Sequence, residues 1–176
     1  MRRLILLRHA KTETDAPSGK DHDRRLDERG RLDAAVIGGW LVQHHLLPDE
    51  VLVSTAARTR ETWDILSGTM PTSHEPQVEH QQDLYNASAS ELLQAIRSIS
   101  AGINRLMLVG HNPGVHELAL GLTCMGDSPD RRVLAGNMPT SAVAVIDFPI
   151  ADWADAGFGG GKLQHFVTPK LLREAK

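Results

Sequence analysis

Cysteine is almost missing from this chain of 176 residues: Cys124 stands alone. No intrachain disulfide and no cysteine metal cluster can form, and a reducing cytoplasm is the simplest compartment to expect. Long apolar runs are missing too. Met1-Arg2-Arg3 followed by Leu4–Leu7 has the outward form of a leader peptide, but its apolar run is four residues and stops at Arg8-His9, too short for a hydrophobic leader core. Nothing approaches the roughly 18–20 apolar residues that span a bilayer, so a soluble protein with no membrane partner is expected. Nor is there an excess of positive charge. The formal net charge is −3, which argues against nucleic acid or an anionic membrane as the main partner. If an anion is bound, the charge that holds it must be local.

Internal repeats, low-complexity tracts and a dividing linker are also absent, so residues 1–176 read as one domain long enough to bury a sizeable core. His111 and His116 lack the His-Glu-x-x-His spacing of a zinc helix. Gly157–Lys162 lacks the glycine, lysine and hydroxyl pattern of a nucleotide loop. Neither a metal nor an organic cofactor is expected.

Two kinds of segment alternate along the chain. Short apolar, β-branched runs at Leu4–Leu7, Val51–Val53, Leu106–Val109 and Ala142–Ile146 suit strands buried on both faces of a mainly parallel sheet. A last short strand is read at His165–Val167. Helical spacing appears in Leu32, Ala35, Val36, Trp40 and Leu41, and again in Leu92, Leu93, Ile96 and Ile99 after the capping-box sequence Ser88-Ala89-Ser90-Glu91. A further helix is read from Pro113, with Asn112 as its N-cap and Val115, Leu118, Ala119 and Leu122 inward. The order implies an α/β fold of three layers, α/β/α, around a mainly parallel sheet.

In such sheets ligands bind beyond the carboxyl ends of the strands. Three of those ends carry unusual residues: Arg8-His9-Ala10, then Ser54 to Arg60, then Gly110-His111-Asn112-Pro113. Parallel strands would gather two histidines and at least two arginines at one sheet edge. Guanidinium groups hold phosphate oxygens with a fixed fork of donors, and a neutral imidazole can attack phosphorus to form a covalent intermediate. Singly, these residues have ordinary readings: His111 as part of a helix cap, Arg58 and Arg60 as solvated residues on a helix face. Their joint occurrence, each directly after a strand, favours a phosphate pocket containing a nucleophile.

Those residues resemble a known family. Arg8-His9-Ala10 is similar to the Arg-His-Gly motif of the histidine phosphatase superfamily, the phosphoglycerate mutase-like fold. Ser54 to Thr62 resembles its Ser-Pro-x-x-Arg-Ala-x-x-Thr segment, and Gly110–Pro113 its second histidine motif. Asp23 to Gly30 also matches the Leu-x-x-x-Gly stretch that leads into the family's first helix. The likeness runs from Leu4 to about Ile146. The short chain and the ending Thr168-Pro169-Lys170 look most similar to the small bacterial SixA-type phosphohistidine phosphatases.

The resemblance implies His9 as phosphoacceptor, Arg8 and Arg58 as phosphate clamps, and His111 as a further donor. Ala10 stands in place of glycine, which suits a backbone without positive φ, and Thr55 stands in place of proline. Relatives carry a glutamate after the third strand that protonates the leaving oxygen. Asn86 falls at that place here, with Asp83 offset beside it as a candidate acid. A missing acid favours a leaving group that departs easily, a phosphorylated imidazole rather than an alkoxide. The loop Lys11 to Arg25 directly follows the nucleophile, and Lys11, Thr12, Arg24 or Arg25 are candidates to touch substrate. The partner implied is a phosphorylated protein, with a small-molecule phosphate as the alternative and a non-catalytic phosphohistidine reader as a further one. The oligomeric state is left open.

Overall fold

The computed structural model describes residues 1–175, and every strand among them belongs to one sheet. In chain order the elements are β1 (Arg2–Arg8), α1 (Glu28–Gln43), β2 (Glu50–Ser54), α2 (Ala57–Gly68), β3 (Gln77–Gln81), α3 (Ala89–Arg97), β4 (Arg105–Gly110), α4 (Gly114–Leu122), α5 (Pro129–Gly136), β5 (Val143–Phe148), β6 (Lys162–Val167) and α6 (Pro169–Glu174). The strand order is β3-β2-β4-β1-β5-β6. The first four run parallel. β5 is antiparallel to β1, and β6 to β5. The expected mainly parallel, three-layer sheet is present.

Alternation along each strand divides the core. Leu4, Leu6, Leu52, Leu106 and Leu108 face Leu92, Ile96, Val115, Leu118 and Leu122 of α3 and α4. Ile5, Leu7, Val51, Val53, Met107 and Val109 face Ile37, Leu41, Trp63 and Leu66 of α1 and α2. All of the strand residues named are fully buried. Each such aliphatic side chain contributes about 1.5–3 kcal/mol of burial free energy.

Several sequence expectations need correction. In α1 the inward residues are Gly30, Asp33, Ala34, Ile37, Gly38, Trp40 and Leu41, so Trp40 and Leu41 face inward as read, while Leu32, Ala35 and Val36 face solvent. The cause is close packing: a Cβ on Gly30 would collide with the Lys11 carbonyl oxygen, and one on Gly38 with the Thr69 hydroxyl. Glycines mark the contact face together with Ile37, Trp40 and Leu41. Helix α4 begins at Gly114 with Pro113 at its N-cap, and Asn112 caps nothing; its amide Nδ2 donates instead to the Met138 carbonyl at 2.8 Å. The capping box at Ser88 and Glu91 forms as read. No helix among the described residues is long and apolar enough to cross a membrane.

Four elements escaped the pattern reading: the short helices α5 and α6, and two that frame the site. β3 is polar and largely exposed because it is the sheet edge. Helix α2 buries Arg58, Thr59 and Thr62 as well as Trp63 and Leu66, so its inner face is half polar. That half lies at the sheet edge where β1, β2 and β4 end side by side.

Candidate active site

His9 follows β1 directly, and its backbone is fixed from both sides. Its N–H donates to the Gly110 carbonyl at the end of β4, and its carbonyl accepts from the Ser141 N–H at 3.0 Å, just before β5. Ser141 takes a left-handed backbone, φ 64°, to reach it. The imidazole is buried, 7% exposed. Its Nδ1 lies 2.7 Å from the Ala10 carbonyl, so Nδ1–H donates there and Nε2 keeps its lone pair. Ala10 takes no positive φ, as its replacement of glycine requires; its N–H donates to Thr62 Oγ1 at 3.0 Å.

His111 sits 5.4 Å from His9, ring centre to ring centre, and is equally buried. Its Nε2 is 2.7 Å from Ser54 Oγ at the end of β2. With Ser54 donating to Nε2, the hydrogen of this ring resides on Nδ1, a buried atom that meets no partner. Arg58, on the first turn of α2, is 5% exposed. Its Nη1 donates to the Asp21 carbonyl at 2.8 Å and its Nη2 to Asp21 Oδ2 at 3.0 Å. Its Nε is buried and unpartnered, as is Nε of Arg8, whose Nη1 donates to the Met138 carbonyl at 3.2 Å.

Three buried donors around His9 therefore lack an acceptor. Leaving buried polar groups unpaired costs roughly 1–3 kcal/mol each, a cost that a bound oxyanion would remove. The electrostatics agree. Burial, together with the Arg58 charge, lowers the Arg8 pKa below the usual guanidinium value, so the two cations disfavour one another until an anion joins them. Burial pushes His9 down to about 3, with His111, Arg58 and Arg8 pushing the same way. Burial and Arg58 push His111 down to about 4. Both rings are neutral near pH 7.

Asp21 is the residue that sequence reading passed over. It lies in a single helical turn, Asp21–Asp23, within the loop after His9. The Tyr85 hydroxyl donates to its Oδ2 at 2.6 Å, and Arg24 Nε to its Oδ1 at 2.9 Å. Tyr85 first, then Arg58 and Arg24, hold its carboxyl well below the ordinary range. Asp21 thus fixes the Nη side of Arg58 and leaves the Nε edge free. Thr12 and Arg24 stand behind it, Arg24 Nη1 donating to Thr12 Oγ1 at 2.9 Å. They support Asp21 and make no bond to the other four residues.

Lys11 is exposed, with its ammonium 4.0 Å from Asp27 at the start of α1, outside the cluster. Asp83 is exposed and no hydrogen bond joins it to His9, Arg8, Arg58 or His111. It lines a neighbouring cavity instead, because its 3-10 turn carries Tyr85, not Asp83, towards His111 (ring centres 5.5 Å apart). Asn86 lies in the left-handed region, φ 60°. Ser54 was legible as the first residue of its motif but with no role, and Tyr85 only as the neighbour of Asn86. Among the described residues no group of three or more His, Cys, Asp or Glu side chains is placed to hold a metal ion.

The arrangement has relatives. The sequence pattern of the histidine phosphatase superfamily (branch 1) matches residues 4–111. An uncharacterized protein of Mycobacterium leprae is 32% identical over 170 residues, covering 93% of this chain and all of its own length. Among solved structures, the candidate phosphohistidine phosphatase SixA of Nakamurella multipartitia superposes with a TM-score of 0.82 at 29% identity, covering 96% of each chain. That of Agrobacterium tumefaciens gives 0.80 at 30%, over 96% of this chain and 98% of its own. With a phosphoglycerate mutase-like sheet and these relatives, the chain belongs to the histidine phosphatase superfamily, branch 1, and is of its SixA type.

Proposed function

We propose that this phosphatase hydrolyses phosphohistidine in proteins through a phosphoryl group carried on His9. Neutral His9 Nε2 attacks phosphorus in line, a P–N bond to His9 forms, and the P–N bond to the substrate imidazole breaks. A substrate imidazole protonated on its free nitrogen leaves as the neutral ring, with no proton needed at the breaking bond. Arg8 and Arg58, through Nε, and His111, through Nδ1–H, hold the equatorial oxygens and spread their charge. Water then attacks phospho-His9, its P–N bond breaks, and phosphate leaves with the proton balance met by solvent.

The observation that carries this reading is the pairing of a nucleophilic nitrogen, kept free and neutral, with three unpartnered buried donors beside it. The carboxyl bonded to the cluster, that of Asp21, is held ionised by Tyr85, Arg58 and Arg24 and has no proton to give, which supports a leaving group that needs none. The unpaired Cys124 suits phosphorylated substrates of a reducing cytoplasm.

Single-turnover labelling with phosphorus-32 phosphohistidine peptide tests it. The protein is expected to form and clear an acid-labile, base-stable phosphoenzyme, and His9→Ala is expected to abolish both label and turnover. Turnover retained by His9→Ala refutes the nucleophile. Faster cleavage of alkyl phosphomonoesters than of phosphohistidine peptide would assign the chain to small-metabolite phosphates instead. Binding without any phosphoenzyme or turnover would make it a reader.

A further inference from the structure

A cavity of about 930 Å³ opens beside the phosphate cluster, between the sheet edge and α3. At one end it reaches Gln82 and Tyr85, the latter already bonded to Asp21. At the other it reaches Glu50, the first residue of β2. Glu79, Asp83 and Glu91 add three more carboxylates, and its lining contains no Lys, Arg or His. Beside the buried Arg58 and the half-buried Arg8 of the candidate active site, this is a separation of charge along one continuous surface.

Glu50 is the informative member. It is 6% exposed, faces the cavity, and among the described residues no hydrogen bond or ion pair reaches its carboxylate. Burial and the nearby Glu79 raise its pKa above the ordinary glutamate value; a cation in the cavity would reverse both effects. Buried carboxylates left unpaired are costly. The residue is packed on every other side, so its unpartnered carboxylate opens only to the cavity, where a cation could reach it. Glu79 lies on the same sheet face, one register step along, since Glu50 pairs with Gln77 and Leu52 with Glu79.

Length decides what the partner is. From Glu50 to Ser54, which bonds His111, β2 advances four residues, about 13 Å at 3.3 Å per residue. A sugar or amino-acid phosphate does not span that distance, whereas an extended polypeptide covers it in about four residues and can carry the cation that the carboxylates call for. Resting on the reading of a protein substrate, we propose that this acidic cavity receives a lysine or arginine side chain of the phosphorylated polypeptide, about four residues from the phosphohistidine. The ligand that satisfies both ends is anionic at the reacting group and cationic farther along.

The test uses the intact protein and three phosphohistidine peptides that differ only about four residues from the phosphohistidine, where one carries Lys, one Ala and one Glu. The expected result is a kcat/KM at least tenfold higher for the Lys than for the Glu peptide, expressed mainly in KM and weakened by salt. Glu50→Gln/Glu79→Gln is expected to shrink that ratio below about threefold. Glu79→Lys, on the exposed edge strand, serves as a second variant that does not disturb the buried position, and is expected to reduce or invert the preference. Equal rates for the three peptides, or a preference unchanged in either variant, overturns the proposal. Phosphoramidate is run in parallel. Its hydrolysis without cleavage of any peptide would instead remove the protein-substrate reading itself.

Discussion

Lowering the pH from 7 to 5 separates this site from an ordinary histidine pair. A histidine at its usual pKa near 6.5 is about 97% protonated at pH 5, and its neutral fraction falls about 25-fold between the two values. His9, pushed down to about 3, stays about 99% neutral across that span. Its nucleophilic nitrogen is therefore present throughout, and is lost only as the pH falls towards 3–4. Nitrogen-15 NMR of the histidine-labelled protein, with His9→Ala and His111→Gln to assign the rings, reads both charge and tautomer. The expectation is Nδ1–H, Nε2-free rings for both, since Ala10 accepts from the first and Ser54 donates to the second. Stability carries the same signature. A folded pKa below the unfolded one gives stability that is complete above about pH 6.5. It then falls by about 1.4 kcal/mol per unit for each ring, until that ring protonates in the fold. That limit lies near 4 for His111 and 3 for His9. Between pH 7 and 4.5 the share of His111 is about 2–3 kcal/mol. Urea unfolding of His111→Gln should lack that share of the wild-type loss. A His9 ring that titrates near pH 6–7, or carries its hydrogen on Nε2, refutes the reasoning.

Further substitutions probe the remaining parts. Arg58→Ala removes charge stabilisation from the transferring group and should lower kcat by about 100-fold or more; an unchanged kcat would place Arg58 outside the reaction. Asp21→Ala releases Nη2 of Arg58, while Nη1 keeps the backbone carbonyl of residue 21, and leaves the arginine's charge untouched. Because Asp21 is half exposed (51% of its side chain), the expected loss in kcat is about tenfold, partly restored by Asp21→Asn, and a variant as active as the parent would show that Arg58 holds its own orientation. Gly30→Ala drives a Cβ into the Lys11 carbonyl, two residues from His9. It should cost about 1–3 kcal/mol of stability in urea unfolding together with activity, and a neutral result would mean that the segment after His9 yields freely.

The amino-acid pattern alone determined the layered sheet and singled out Arg8, His9, Arg58 and His111, the four residues proposed to hold the phosphoryl group. Buried parallel strands are written as short apolar runs, and each run here ends directly on His9, Ser54 or His111, so strand direction suffices to bring the ends together. The helix faces were less legible. Leu32 and Val36 of α1 point to solvent because Gly30 and Gly38 permit a closer approach than leucine would, and hydrophobicity patterns do not register a contact made by absent side chains. The polar edge strand β3 and the half-polar inner face of α2 were hidden for a related reason: one borders water and the other carries the buried Arg58, Thr59 and Thr62, so neither is apolar. Asp21, Tyr85 and Glu50 were decided by tertiary structure only. Asp21 and Tyr85 bond partners 37 and 64 positions away in the chain, and the carboxylate that bears on Glu50 is 29 positions away; only folding determines which charged side chains lose their water and which neighbours replace it.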